Sequence, residues 1–414
     1  MTIKFKKNEP FVEGVSLLKI TSKIETPFYI YSQKTIKDAY DKIKRNINAE
    51  IFYAIKANSN LAIISILKNL GSGADVVSLG ELKRALTAGI SPNKIIFEGV
   101  GKSEKDLKFA IKKKIRQINI ESLNELELVN SLSKSLGIKT KIGIRINPDV
   151  DAQTLDKIST GRKTDKFGVT YSQLPKVFKI LKNIDNIKLC GISCHIGSQI
   201  HDIKIFEKVF IKIKEAIKMF SNNDLKINSL DLGGGFGVTY NKEKEINLSK
   251  ISRLIDKHFG KKNFKISIEP GRYLVANSGI LVTKIITSKK NGSINYLITD
   301  AGMQTFLRPS LYKSFHKIES FSNNRKKKKY TVAGPICESS DILSKNIKLP
   351  EQQIGNYIAI CDTGAYGFVM ASNYNSNSLP AEILIHKNKY SIIRKNEKIE
   401  KLIEKDIIPD WIIN

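Results

Sequence analysis

The chain has 414 residues, of which 41% are hydrophobic and 26% charged, with a formal net charge of +29. That is long enough for two domains with large cores and too polar for a membrane-embedded protein: no stretch approaches the roughly 20 apolar residues of a membrane span, and residues Met1 to Pro10 lack the apolar core of an export signal. A cytoplasmic protein with no membrane partner is expected.

The lysines are spread along the whole chain instead of forming one patch, which argues against nucleic acid as a partner. The densest run, Arg325 to Lys329, lies between Ser/Asn residues and the apolar Tyr330-Thr331-Val332-Ala333, and is expected as a solvated hairpin loop. Four cysteines, Cys190, Cys194, Cys337 and Cys361, are expected reduced. Cys190 and Cys194 stand four apart in one apolar run, so both read as small buried residues on one face of a strand.

In chain order, short apolar runs occur at Ile51 to Ala54, Ala74 to Val77, Ile95 to Phe97, Gln117 to Ile120, Lys141 to Ile146, Leu189 to His195, Leu230 to Leu232 and Ile266 to Ile268. Helical patterns such as Leu82 to Leu86 and Phe206 to Phe220 lie between them, with apolar residues recurring at three and four. Eight such alternations in roughly 220 residues predict an α/β fold, a closed (β/α)8 barrel, because an open doubly wound sheet usually stops sooner.

From about Leu274 the pattern changes to strands without long helices: Ile280 to Thr287, Ile294 to Thr299, Tyr330 to Ala333, Tyr357 to Cys361, Ala381 to His386 and Tyr390 to Arg394. Gly and Asn turns between several of them predict a second, mainly antiparallel β domain. The run Phe28 to Tyr31 precedes the eight-strand count, and the early segment is expected to join that second domain. The boundaries are drawn at 28–273 for the barrel and at 1–27 with 274–414 for the discontinuous sheet domain.

In a parallel barrel, residues just after each strand share the active face. Here those positions carry Lys56, Asp75, Glu121, Arg145, His195, Gly233-Gly234-Gly235 and Glu269-Pro270-Gly271-Arg272. A lysine amine at such a position forms a Schiff base with a carbonyl cofactor once its neutral form is favoured. The glycines let backbone amides approach a phosphate, or else make a plain tight turn; no Lys-Ser/Thr follows, so this is not a P-loop. A flat imidazole at His195 can stack on an aromatic ring, Ser198 offers a hydroxyl to a phosphate, and no second histidine stands at metal-ligand spacing. Glu269 can pair with a pyridine nitrogen, and Arg272 has the fork geometry for a carboxylate or phosphate. Arg145 and Asp75 read as packing charges at strand ends.

The second domain carries Arg308-Pro309-Ser310-Leu311-Tyr312, Cys337-Glu338 within Gly334 to Ser340, and Tyr366 in Gly364-Ala365-Tyr366-Gly367. Together with Tyr53 to Asn58, Arg145 to Val150, Lys166-Phe167-Gly168 and His195 to Gln199, these segments resemble the diaminopimelate decarboxylases, pyridoxal-phosphate enzymes of the alanine-racemase-like fold. The resemblance runs from Thr26-Pro27-Phe28 to Ala381-Glu382-Ile383-Leu384.

The resemblance implies that Lys56 carries pyridoxal 5'-phosphate through a Schiff base and that His195 stacks on its ring. It places Ser198, Gly234, Gly235 and the backbone of Glu269, Pro270, Gly271 and Arg272 around the phosphate region, with Glu269 on the pyridine nitrogen. Arg272, Arg308 and Tyr312 would hold substrate carboxylates, Glu338 the far amino group, and Tyr366 both cofactor and substrate. Cys337 or Lys56 would return the proton after carbon dioxide leaves. It further implies a homodimer with its active sites at the interface, Cys337 and Glu338 serving the neighbour's barrel, and an amino-acid substrate, diaminopimelate, converted to L-lysine.

A related decarboxylase of arginine, ornithine or carboxynorspermidine is the alternative, disfavoured because those enzymes commonly resemble Cys-Asp where this chain reads Cys337-Glu338; a racemase lacks that segment's signature. The chain departs from the family pattern at Leu155-Asp156-Lys157, where a histidine is usual, and at Ser376 to Leu379, where an arginine is common.

Overall fold

The computed structural model describes residues 1, 3–154, 156–158, 160–260 and 264–413, so Leu155 of the first departure lies outside the described residues. Residues 36–274 form one unit, and residues 1–35 with 275–414 form another.

The first unit is a closed barrel of eight parallel strands: Glu50–Ala54, Gly73–Val76, Ile95–Phe97, Gln117–Ile120, Thr140–Arg145, Ile187–Ser193, Ser229–Asp231 and Lys265–Ile268. Each pairs with the next, and the eighth closes on the first through Ser267 opposite Glu50 and Ile268 opposite Ile51. Every run predicted as a barrel strand overlaps one of these. The runs are short and almost wholly buried, as expected of strands covered on both faces.

Helices follow the strands for local reasons. Glu104–Lys112 starts with a capping box between Ser103 and Asp106, and Leu79–Thr87 starts with the Ser78 hydroxyl accepting from the Glu81 amide. Ile203–Ser221 is capped by Asp202 and buries Ile205, Phe206, Val209, Phe210, Ile213, Ala216, Ile217 and Phe220, the three-and-four spacing that turns one face inward. Each large side chain on that face contributes about 1.5–3 kcal/mol by leaving water.

The sixth strand corrects one expectation. Its register with the fifth shifts between Leu189 and Gly191, so a bulge at Cys190 breaks the alternation. Cys194 is buried, whereas Cys190 is only half-buried; all four cysteines are free thiols.

The second unit holds a nine-stranded, mainly antiparallel sheet. Its longest strand, Gly279–Asn291, pairs with Phe28–Ser32, Tyr357–Cys361 and Ile294–Thr299. Phe28–Ser32 is buried at every position and lies between Gly279–Asn291 and Ala381–His386. This moves the domain boundary drawn at residue 28 to residues 35/36, because the ladder bonds of Phe28–Ser32 belong to the sheet; the other boundary falls at 274/275. The strands Lys4–Lys6, Glu9–Val12, Val15–Ser16, Ile318–Ser320 and Ile342–Pro350 were not expected from the sequence.

The lysine run is also corrected. Lys327 to Lys329 are not a hairpin loop but the exposed beginning of the strand Lys327–Ala333, paired with Ile342–Pro350. Hydrogen bonding continues into the charged stretch because Lys329 stands opposite Lys348 in the ladder. No helix among the described residues is long and apolar enough to cross a membrane.

Candidate active site

At the end of the first barrel strand the chain tightens into a single 3-10 turn, Ile55–Ala57, which carries Lys56. Its Nζ lies 3.1 Å from Oδ2 of Asp75, the fully buried residue of the second strand that stands opposite Ala54. The lysine side chain remains one-third exposed, so its amine faces the barrel mouth while a carboxylate fixes its direction.

Around this pair the strand ends supply a buried charge network. Arg145, ending the fifth strand, reaches Glu121 Oε1 at 2.7 Å and Glu98 Oε2 at 3.5 Å. Those two carboxylates outweigh the desolvation of the guanidinium and hold it firmly charged. Glu121 also accepts the backbone amides of Gly99 and Gly168, which tie two loops to the network. Burial pushes the Glu98 carboxyl up to about 7 against the pull of Arg145.

Asp231, ending the seventh strand, is pushed up to about 6 by burial, although it accepts the Gly233 amide at 3.0 Å. Glu269, just beyond the eighth strand, is raised well above the carboxylate range by burial and then by Asp231, Asp75 and Glu98. One oxygen each of Asp75, Asp231 and Glu269 is buried with no hydrogen-bond partner. Buried carboxylates left in that condition are costly unless a cation or donor completes them.

His195 follows the sixth strand. Burial, with Lys56 and Arg145 nearby, drives its imidazolium form well below the usual histidine range, so the ring is neutral. Its Nδ1 accepts the Gly234 amide at 3.2 Å, which leaves the proton on Nε2. Gly233 and Gly235 have φ of 66° and 88°, in the left-handed region where side chains are strained. A Cβ on Gly234 would stand 2.2 Å from the Glu269 carbonyl oxygen, and one on Gly235 2.6 Å from that of Gly197. The cluster is therefore a close approach of three backbone segments, which only glycine allows.

Arg272 opens a short helical turn after Pro270 and Gly271 and is buried. Its Nε donates to the Ser198 hydroxyl at 3.0 Å, and its Nη1 donates to the Tyr240 hydroxyl at 3.0 Å. Ser198 and Arg272 thus meet as two donors beside the glycine cluster.

The second unit holds the remaining expected residues. Arg308, at the start of the helix Arg308–Tyr312, is buried, donates to His316 Nε2 at 3.3 Å and lies over the Tyr312 ring at 5.8 Å. Tyr366 is half-buried with φ of 54°, and the flanking Gly364 and Gly367 sit against backbone oxygens. Cys337 and Glu338 are exposed in a bend built on buried Asp341, whose carboxylate accepts the amides of Ile336 and Met303. Glu338 accepts from Tyr374 and Ser340, and both hydroxyls hold its carboxyl below the usual range.

Sequence reasoning missed Glu98, Asp231 and Tyr240. Glu98 directly follows the third strand, so the strand-end rule that found Glu121 would have found it, whereas Asp231 lies inside the apolar run Leu230 to Leu232. Tyr240 lies nine residues past the strand end Asp231, and no local signal marks it. Arg145 and Asp75, read as packing charges, are members of the central network.

The barrel mouth fits pyridoxal phosphate on its own geometry. Five buried carboxyls, Asp75, Glu98, Glu121, Asp231 and Glu269, face two cations, Lys56 and Arg145, so a protonated ring nitrogen would meet in Glu269 a carboxyl with one buried oxygen that has no hydrogen-bond partner. The glycine cradle and the Ser198 and Arg272 donors suit a phosphate.

The comparisons agree. Residues 33–276 match the family model of the pyridoxal-dependent decarboxylases, pyridoxal binding domain. A diaminopimelate decarboxylase of Aquifex aeolicus is 38% identical over 405 residues, covering 97% of this chain and 96% of that one. The crystal structure of diaminopimelate decarboxylase from Helicobacter pylori, complexed with L-lysine, superposes with a TM-score of 0.90 at 40% identity, covering 94% of this chain and 98% of that one. The enzyme of M. jannaschii, also solved with L-lysine, superposes with a TM-score of 0.93 at 34% identity, covering 99% and 98%. Nearly full-length likeness and the geometry of the barrel mouth lead to one conclusion: the chain belongs to the pyridoxal-phosphate-dependent diaminopimelate decarboxylase family.

Proposed function

We propose that this chain converts meso-2,6-diaminopimelate to L-lysine and carbon dioxide, the last step of lysine biosynthesis, with pyridoxal 5'-phosphate held on Lys56. One observation carries the reading: an amine at the end of the first strand and a buried carboxylate with an unpartnered oxygen beyond the adjacent eighth strand open on one barrel mouth. When bound, the cofactor supplies an electron sink for the pair left behind by departing carbon dioxide.

The chain does the rest. Glu269 keeps the ring nitrogen protonated by charge pairing, and neutral His195 offers a flat face that adds no competing charge. Asp75 directs the Lys56 amine, and Gly234, Gly235, Ser198 and the Pro270 to Arg272 backbone receive the phosphate. Arg272, Arg308 and Tyr312 hold substrate carboxylates, which fixes the orientation of the bond that breaks, and Tyr366 contacts both ligands. Glu338 receives the far ammonium group. A proton then reaches the former carboxyl-bearing carbon from Lys56 Nζ or Cys337 Sγ.

The protein works as a homodimer in the cytoplasm, with Cys337 and Glu338 serving the neighbour's barrel. Their exposure in the single chain supports that role. The test is carbon dioxide release from diaminopimelate, lysine, ornithine and arginine in parallel. Preference for diaminopimelate is expected, and preference for any of the other three overturns the reading. Borohydride reduction is expected to fix the cofactor to Lys56; an adduct mapped to another lysine removes that residue from its role.

A further inference from the structure

The turn at residues 373–377, which overlaps the second family departure at Ser376 and Asn377, has no part in the reading above. It nevertheless touches a site residue. The Tyr374 hydroxyl donates to Glu338 Oε1 at 2.5 Å, and the Ser340 hydroxyl donates to Glu338 Oε2 at 2.8 Å, so each carboxylate oxygen has its own donor.

Both donors are themselves held. Asn377 donates its side-chain amide to the Tyr374 carbonyl at 2.9 Å, and Asn373 donates to Asn377 O at 3.0 Å and to Glu397 Oε2 at 2.7 Å. Asn375 and Ser376, two successive non-glycine residues, have φ of 53° and 54°, a conformation that persists only where its surroundings enforce it. Ser340 is fixed by Ser310, whose hydroxyl donates to the Ser340 carbonyl at 2.8 Å. Ser310 lies in the helix Arg308–Tyr312, so the loop bearing Glu338 is tied to the helix bearing Arg308.

Tyr374 and Glu338 are both exposed. A hydrogen bond between exposed side chains contributes little to folding, so stability alone is a weak reason for this arrangement. Its effect on the carboxylate is large by comparison. With one donor on each oxygen, Glu338 cannot rotate freely, yet each oxygen keeps a lone pair for the three hydrogens of an ammonium group.

We propose that Tyr374 is a positioning residue that aims the Glu338 carboxylate and thereby sets the preference for a substrate carrying an ammonium group at its far end. This rests on the proposed role of Glu338. Ser340 supports the same carboxylate from its other side.

The test compares holoenzyme kinetics on diaminopimelate and on 2-aminopimelate, which lacks the far amine, for wild type, Tyr374→Phe, Ser340→Ala and Glu338→Gln. Tyr374→Phe is expected to raise KM for diaminopimelate by roughly fivefold to tenfold, the worth of one hydrogen bond to a charged group at an exposed site, with kcat held within about twofold. KM for 2-aminopimelate stays put, so the preference narrows. The acid limb of the diaminopimelate kcat/KM profile moves to higher pH, because the carboxylate loses a donor that favoured its charged form. Ser340→Ala shifts both readouts in the same direction.

If Glu338→Gln loses the preference while Tyr374→Phe keeps the wild-type KM and pH profile, the inference is overturned. If wild type itself shows no preference for diaminopimelate over 2-aminopimelate, the role of Glu338 fails and the inference falls with it.

Discussion

The barrel mouth and the loops at 334–341 and 373–377 solve opposite problems with the same side-chain chemistry. At the mouth, Glu98, Asp231 and Glu269 are buried and carry raised carboxyls, crowded by one another and by Asp75. In the loops, Glu338 is exposed, supplied with two donors and held anionic. Low dielectric makes each charge at the mouth costly and each pairing strong, whereas an exposed carboxylate has to be oriented before it can select anything. The two regions therefore differ in how substitutions will be felt.

The largest effect is expected at the mouth. Lys56→Ala removes the amine and should lower turnover by roughly 10²–10⁴-fold, together with loss of the bound-cofactor absorbance band. A variant that keeps both would place the key amine elsewhere and break the contrast.

Next comes Arg145→Met, which leaves Glu98 and Glu121 facing each other without their shared cation. Stability should fall by about 3–5 kcal/mol in urea unfolding. A loss under about 1 kcal/mol would mean that the network is less desolvated than its burial implies.

The pH dependence of the cofactor-free protein follows with a smaller effect. Glu81 and Glu98 are both pushed up to about 7, with burial as the main cause. A carboxyl raised on folding keeps its proton while the unfolded chain has lost it, so its contribution is full below the unfolded value and disappears as pH rises through the folded one. Half-buried His195 and His258, lowered from 6.5, act in the opposite sense below that pH. The melting temperature should therefore fall between pH 6.5 and about pH 8, and fall less in Glu98→Gln. A rise over that interval would contradict the carboxyl assignment.

The smallest effect is expected outside both regions. Lys329→Gln, on the exposed end of its strand, should change stability by about 0.5 kcal/mol at most. Because it relieves the like-charge pairing with Lys348, any change should be stabilising.

Strand-end residues were readable in the sequence wherever an apolar run of three to seven residues ended in a charged or small residue, which located Lys56, Asp75, Glu121, Arg145, His195 and Glu269. Glu98 escaped although the same rule covers it, and Asp231 escaped because it sits inside the last strand position. Cys190 was misjudged because alternation was assumed through a bulge. Lys327 to Lys329 were misjudged because charge density was taken as a sign of loop, while ladder hydrogen bonds are made by the backbone whatever the side chain.

Phe28–Ser32 shows the same limit at larger scale. Its five buried residues announce a covered strand, but nothing in them says which sheet covers it.

Periodicity, strand count and the residues at strand ends determined the barrel, the second sheet and most of the reactive groups, because burial repeats with the local geometry of the backbone. Tertiary structure alone decided the charge balance at the mouth, the raised carboxyls of Glu98 and Asp231, and the meeting of Tyr374 with Glu338. Those depend on distances between residues from 19 positions apart, for Lys56 and Asp75, to 194, for Asp75 and Glu269, and electrostatic energy is set by separation in space and by exclusion of water, neither of which is written in the order of the chain.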